Sequence, residues 1–356
     1  MKQLLVATRK GLFRIDVNDQ GSSTSLIGFE GDPVIQVLDD ARDGSLYASL
    51  DLGHFGPKLQ RSSDGGASWE EVSVPSYPKG GEDAPSLKQI WSMELAGQAA
   101  GELWAGTTPG GLFHSKDAGQ SWTLNRSLWD REERAEWFGG GFDVPGIHSI
   151  CVDPRSSERV ALGISCGGVW LTEDGGATWD LRADGMYAAY MPEDQRGDPN
   201  TQDPHLIVQS PSHPDHYWCQ HHNGIFRSRD NLKSWEDVPA GQPSCFGFAV
   251  AVHPLDPETA WFVPAQKDEC RVPAEGRVVV SRTRDGGQSF EVLRSGLPQE
   301  NAYDLAFRHA LVIDSTGDFL AFGSTTGSLW VTHDGGQEWQ ELHAHLPPIY
   351  ALRLIS

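Results

Sequence analysis

Thirteen histidines are spread over 356 residues, and four of them fall where imidazoles could act together. His148 and His205 each stand beside a short apolar run, and His221 and His222 follow in the turn QHHNGIF. Imidazole titrates near neutral pH and is a common ligand of divalent metals. Grouped histidines therefore suit either a metal or a general acid and base. The other reading is that they are hydrogen-bonded polar residues at a solvated mouth, because their spacing alone does not set a metal geometry. A second set is a run of acids: SSDGGASW, SKDAGQSW, TEDGGATW, SRDNLKSW, TRDGGQSF and THDGGQEW. Their carboxylates are Asp64, Asp117, Asp174, Asp230, Asp285 and Asp334. A glycosidase needs two acids converging on one point. Six copies of one turn point in different directions and cannot converge, so these acids read as structural.

Their spacings are 53, 57, 56, 55 and 49 residues. Each box has Ser or Thr two residues before the Asp and Trp or Phe five residues after it. Five have Gly two residues after the Asp, and Leu232 takes that place in SRDNLKSW. Apolar runs precede the boxes, such as GLFHS at 111, GVWLT at 168 and GIFRS at 224. GLFRIDV at 11 to 17 is a degenerate copy, so the count is seven. In the fourth, GIHSICVDP, RVALGISC, GVWLT and TWDLR read as four short strands. A sheet of about 50 residues cannot bury both faces alone, whereas stacked copies can. The chain is predicted to be all-β: a single domain over 1–356, a seven-bladed β-propeller of four-stranded antiparallel blades. QLLVAT begins the chain as a second strand, and PPIYALRLIS ends it with no later partner. The C-terminal strand should therefore complete blade 1, built from residues 1–30 and 347–356, which leaves no long open edge.

Each part of the box has a structural task. The short Asp side chain accepts backbone N–H groups, Gly supplies positive φ, and the aromatic residue begins the outer strand and packs between blades. The motif resembles the Asp-box, or BNR, repeat of sialidases, xyloglucan-active glycoside hydrolases, sortilin-type receptor propellers and photosystem assembly factors. The start of the chain, ATRKGLF, resembles a bacterial BNR group described as WD40/YVTN-like, as sialidase or as glycosyl hydrolase. The resemblance implies the fold over the whole chain and leaves the activity open, since these relatives do different things. A sialidase would show an inward arginine triad with an F-R-I-P stretch. Here Phe13-Arg14-Ile15-Asp16 lacks the proline and aligns with a third strand, so Arg14 reads as a blade residue. No other arginines announce a triad.

Composition narrows the partners. The net charge is −21, with 28 Lys and Arg against 49 Asp and Glu, which disfavours nucleic acid and anionic membranes. No run approaches the roughly 18 apolar residues of a spanning helix. The N-terminal apolar run is too short for a secretory signal, and the five cysteines include no CxxC. A cytoplasmic protein is expected.

The long insertions, 74–88, 125–146, 182–204 and 265–277, all fall on the face opposite the boxes. Such loops usually carry function. The candidate pocket there comprises His54, Lys88, Trp91, His148, His205, His221, His222, Glu300, Tyr303 and Arg308. The sequence requires no cofactor. A divalent metal on His148, His205, His221 and His222 is the one these residues suit. A small molecule, glycan or protein bound at this mouth is the first functional expectation. A sialidase-like or metal-dependent hydrolase at the same mouth is the second.

Overall fold

A computed structural model describes residues 1–18, 21–79, 84–140 and 142–355. Parts of the insertions 74–88 and 125–146 thus lie outside the described residues. Seven four-stranded antiparallel sheets form a seven-bladed β-propeller. Blade 1 has the order Ile349–Leu354, Lys2–Thr8, Gly11–Asn18, Gly21–Gly28, so the C-terminal strand supplies its first strand as expected. Blades 2 to 7 begin at Val34–Asp40, Gln89–Leu95, Ile147–Val152, Pro204–Gln209, Gly247–Val252 and Leu311–Ile313. The chain groups into two compact units, Met1–Leu181 with Arg353–Ser356, and Arg182–Leu352. No helix among the described residues is long and apolar enough to cross a membrane.

The boxes fold as their composition requires. In all six, Asp Oδ1 accepts the backbone N–H four residues on, at 2.8–3.1 Å. The Ser or Thr hydroxyl two residues before donates to the same Oδ1 at 2.7–3.0 Å. The two residues after the Asp are left-handed, which is why Gly dominates there. In SRDNLKSW the chain accepts the strain: Asn231 and Leu232 both sit at φ 63°. Leu232 is fully buried, and burying a leucine offsets the roughly 1–2 kcal/mol that such a backbone costs.

In three boxes the indole reaches back to a backbone carbonyl ahead of its own blade. Trp69 Nε1–H donates to the Ile27 carbonyl, Trp122 to Ser73 and Trp235 to Arg182, at 2.9, 2.9 and 2.8 Å. An arginine on the third strand makes the reverse link. Arg227 reaches the Gly286 carbonyl at 2.7 Å and Arg282 reaches Gly335 at 2.6 Å. Arg14 makes the same bond to Gly65. The Phe-Arg-Ile stretch is thus an inter-blade clamp.

The first strands share a further device. Pairing with the second strand slips between Val34 and Gln36, Ile90 and Ser92, Ile147 and Ser149, Pro204 and Leu206, and Gly247 and Val250. Five blades therefore carry a bulge at one equivalent place. A bulge re-aims the side chain that it adds. The bulged positions hold Ile35, Trp91, His148, His205 and, in blade 6, Phe248 with Ala249.

The boxes make the fold sensitive to acid. Hydrogen bonds, first from the Ser68 and Thr178 hydroxyls and then from their N–H groups, pull Asp64 and Asp174 down to about 2. The unfolded carboxyl titrates near 3.9, so the native state binds fewer protons between those values. Stability from these groups is full above about pH 4 and is lost as the pH falls toward 2. The Asp174→Asn variant should melt below the wild type at pH 7, and the gap should close by about pH 2, as followed by circular dichroism.

Candidate functional site

The second unit gathers three of its polar side chains into one cluster. Asp203, His205 and His222 each present a ligand-type atom, and all of these lie within 4.8 Å of one another. His205 occupies the bulge of blade 5, inside the strand Pro204–Gln209 rather than before it. Asp203 ends the long loop that leads into that strand, and His222 stands in the turn after Tyr217–His221. One carboxylate oxygen, Asp203 Oδ2, lies 3.7 Å from His205 Nε2 and 3.4 Å from His222 Nδ1.

The outer nitrogens face fixed acceptors. His205 Nδ1 is 2.6 Å from the Gly247 carbonyl, which can only accept, so Nδ1 carries the proton. His222 Nε2 faces Asp268 Oδ2 at 3.7 Å. His205 stacks on Phe248, the bulge residue of the next blade, with centroids 4.5 Å apart and planes 16° apart. Phe246 and Tyr190 meet the cluster edge-on, Phe246 at His205 and Tyr190 at His222. Arg271 and Arg308 hold their guanidinium carbons 5.4 and 5.2 Å from the Phe248 ring centre. The loop over the cluster is fastened by the Ala189 N–H, which donates to Asn223 Oδ1 at 2.7 Å.

Burial sets the protonation. It opposes ionisation of Asp203, but the imidazoles of His205 and His222, with the field of Arg308, outweigh it and hold the carboxyl well below its usual value. Burial pushes His205 down, against the pull of Asp203. His221 is pushed down to about 3, again by burial. The result is a carboxylate held ionised beside a ring, His205, that burial keeps from charging.

His221 does not join this group. Its Nε2 is faced by the Asp203 N–H and its Nδ1 by the Asn223 N–H, both at 3.1 Å, so backbone occupies the ring on both sides. His148 lies in the first unit, fully buried, with Nδ1 2.9 Å from Ser149 Oγ and its ring 5.4 Å from Trp91. His54 and Lys88 are exposed there, His54 against Phe55. Glu300 and Tyr303 stand exposed on the segment before Leu311–Ile313, and Arg308 of that segment reaches Phe248. Cys219 is buried in mid-strand, where burial raises its thiol well above the usual value.

Sequence reasoning missed Asp203, Phe248, Arg271 and Asp268. One signal for Phe248 was present: Trp91, His148 and His205 recur 57 residues apart near the start of their strands, and Phe248 stands near the start of the first strand of blade 6. Asp203 precedes a proline at a loop end and looks like an ordinary turn residue.

No protein-family model matches the chain. It is 24% identical over 251 residues to an oligoxyloglucan-reducing end-specific xyloglucanase of Emericella nidulans, covering 68% of this chain but 25% of that one. The chain thus spans a quarter of that relative's length. It is 25% identical over 300 residues to the photosystem II assembly lipoprotein Ycf48 of Synechococcus, covering 79% of this chain and 68% of that protein. Among solved structures it resembles the GH74 xyloglucanase of Xanthomonas campestris, with a TM-score of 0.66 and 17% identity over 95% of this chain and 52% of that one. It also resembles a periplasmic gluconolactonase of Pseudomonas aeruginosa, with a TM-score of 0.64 and 11% identity over 100% and 99% of the two chains. A third is YCF48 bound to D1 peptide, with a TM-score of 0.53 and 16% identity over 86% and 80%. At these identities the likeness is one of fold.

Replacing His205 by Phe keeps a ring against Phe248 and strands the Gly247 carbonyl. Urea unfolding of His205→Phe should show a loss of about 1–3 kcal/mol, the cost of an unmet buried acceptor. Tyr303→Ala, on the exposed segment, should stay within about 0.5 kcal/mol of wild type.

Proposed function

We propose that the chain is a binding propeller that takes a small molecule, glycan or peptide on its loop-rich side, at the edge formed by His222, Tyr190, Phe248, Arg271 and Arg308. The observation that carries this reading is the state of the acids. A glycosidase needs two carboxyl groups about 5–9.5 Å apart, both open to the bond that they cleave. Asp203 is buried between two imidazoles, and Asp268 is paired with Arg271 at 2.5 Å. The carboxylates organise the site and leave rings and guanidinium groups to meet a ligand. Aromatic faces and arginine forks suit sugars, carboxylates and peptide termini alike. Ycf48 with its bound D1 peptide and the xyloglucanases give each ligand class a precedent on this fold. A metal-dependent hydrolase is the second reading, favoured by the convergence of Asp203, His205 and His222. The five cysteines form no disulfide, which supports a reducing compartment, and we place the protein in the cytoplasm on that basis.

The test is a thermal-shift and calorimetric panel of xyloglucan oligosaccharides, sugar acids and short peptides with free C-termini. One class should bind, and Arg271→Ala and Tyr190→Ala should each weaken it at least tenfold. Binding untouched by both changes would remove the ligand from this edge. Shortened glycan products in the same samples would replace the binding role with the hydrolytic one.

A further inference from the structure

The cluster poses a problem in lone pairs. His205 Nδ1 spends its proton on the Gly247 carbonyl at 2.6 Å. In neutral His205 the inner nitrogen, Nε2, then holds a bare lone pair 3.7 Å from the carboxylate oxygen Asp203 Oδ2. His222 turns Nδ1 inward, 3.4 Å from the same Oδ2, and Nε2 outward toward Asp268 at 3.7 Å. Two ring nitrogens and one carboxylate oxygen thus converge beside Phe246, Phe248 and Tyr190. Two imidazole nitrogens and a carboxylate oxygen within 4.8 Å of one another form a donor set that one metal ion can share.

We propose that Asp203, His205 and His222 bind one first-row divalent metal ion of the zinc or ferrous iron type, through Asp203 Oδ2, His205 Nε2 and His222 Nδ1. The distances suit it. Bonds of about 2.0–2.1 Å in a tetrahedral centre set ligand atoms roughly 3.3 Å apart; the two separations from Asp203 Oδ2 are 3.4 and 3.7 Å, and all three lie within 4.8 Å. Two imidazoles and one carboxylate select ions of intermediate softness over calcium or magnesium. The outer contacts are those that metal-bound histidines commonly make, a backbone carbonyl for one ring and a carboxylate for the other. The bond to Gly247 fixes which nitrogen of His205 turns inward.

Three protein ligands leave a coordination position for water or a ligand. His222 is the less buried of the two histidines and marks the open side. The charge count says what would sit there. One carboxylate leaves a divalent ion with a net positive charge, and Arg308 adds its own field to Asp203 and His205. That field works against the metal and lowers its affinity. The same field favours an anionic fourth ligand. The site stands on this geometry whichever ligand the loop edge takes, so its failure would leave the binding role untouched.

The full chain, stripped with a chelator and dialysed, is titrated with Zn²⁺ and then Co²⁺. One equivalent of Zn²⁺ per chain should bind and raise the melting temperature, and Co²⁺ should give the visible absorption of an ordered low-coordinate centre. His222→Ala should abolish both while the metal-free protein keeps the wild-type melting temperature. If that variant does not fold, His222→Gln takes its place. Asp268→Asn, which changes the outer partner of His222 and loosens the pair with Arg271, should weaken binding about 10- to 100-fold. His54→Ala and His213→Ala, both exposed, should bind as wild type does. Well under one equivalent of Zn²⁺, or a full equivalent that survives the loss of His222, overturns the site.

Discussion

Each blade is an apolar sheet with two faces to hide and too few residues to hide them. The covering of one sheet by the next is therefore the constraint on which the fold rests. It explains why the most buried large side chains include Trp170, Trp218, Trp261 and Trp330, and why the box Trp starts the outer strand, where it can reach back. Losing such a tryptophan opens a cavity worth about 3–5 kcal/mol. The polar half of the contact is as specific. Indole N–H groups run to the preceding blade's carbonyls, and arginines such as Arg227 run forward to the box glycine of the next. The two kinds of bond run in opposite directions along the ring, the indoles reaching back and the arginines reaching on.

That clamp is what the sequence displays most clearly, because it recurs. The box has a fixed pattern of hydroxyl, acid, left-handed turn and indole, and its spacing reveals seven blades before any contact is known. Even the substituted copy is legible: Asn231 and Leu232 keep the turn at φ 63° where glycine would relax it. The missing strand of blade 1 is legible too, since QLLVAT has no partner before it.

The site is less legible for a reason rooted in backbone geometry. His221 and His222 are neighbours, and nothing in QHHN separates their roles. Side chains alternate along a strand, and His221 ends one while His222 begins a turn, so the two rings diverge. One is enclosed by backbone N–H groups, and the other meets Asp203 and Asp268. His148 and His205 are likewise equivalent by position. They differ in their neighbours: Trp91 packs on the first, and Phe248 with an acid and a second imidazole surrounds the second. Spacing reveals the slot and says nothing of what lines it.

The bulge slot shows how the frame and the chemistry are kept apart. The clamps lie at the box end of the blades and tolerate little change, because the Asp carboxylate and the Ser or Thr hydroxyl each bond several groups of the turn. The bulge lies at the other end of the first strand, where one extra residue is lifted out of the ladder. Backbone hydrogen bonds flank it, so its side chain can be isoleucine, tryptophan, histidine or phenylalanine without altering the sheet. A polar ring in such a slot needs a partner, and His205 has one in the carbonyl of Gly247, at the bulge of the neighbouring blade. Two adjacent bulges therefore make a unit: one supplies the imidazole, and the other supplies the carbonyl that sets its tautomer and the phenyl ring that holds its plane. Chemistry can enter a repeat fold at such a pair because the repeat itself does not depend on which side chains the pair carries.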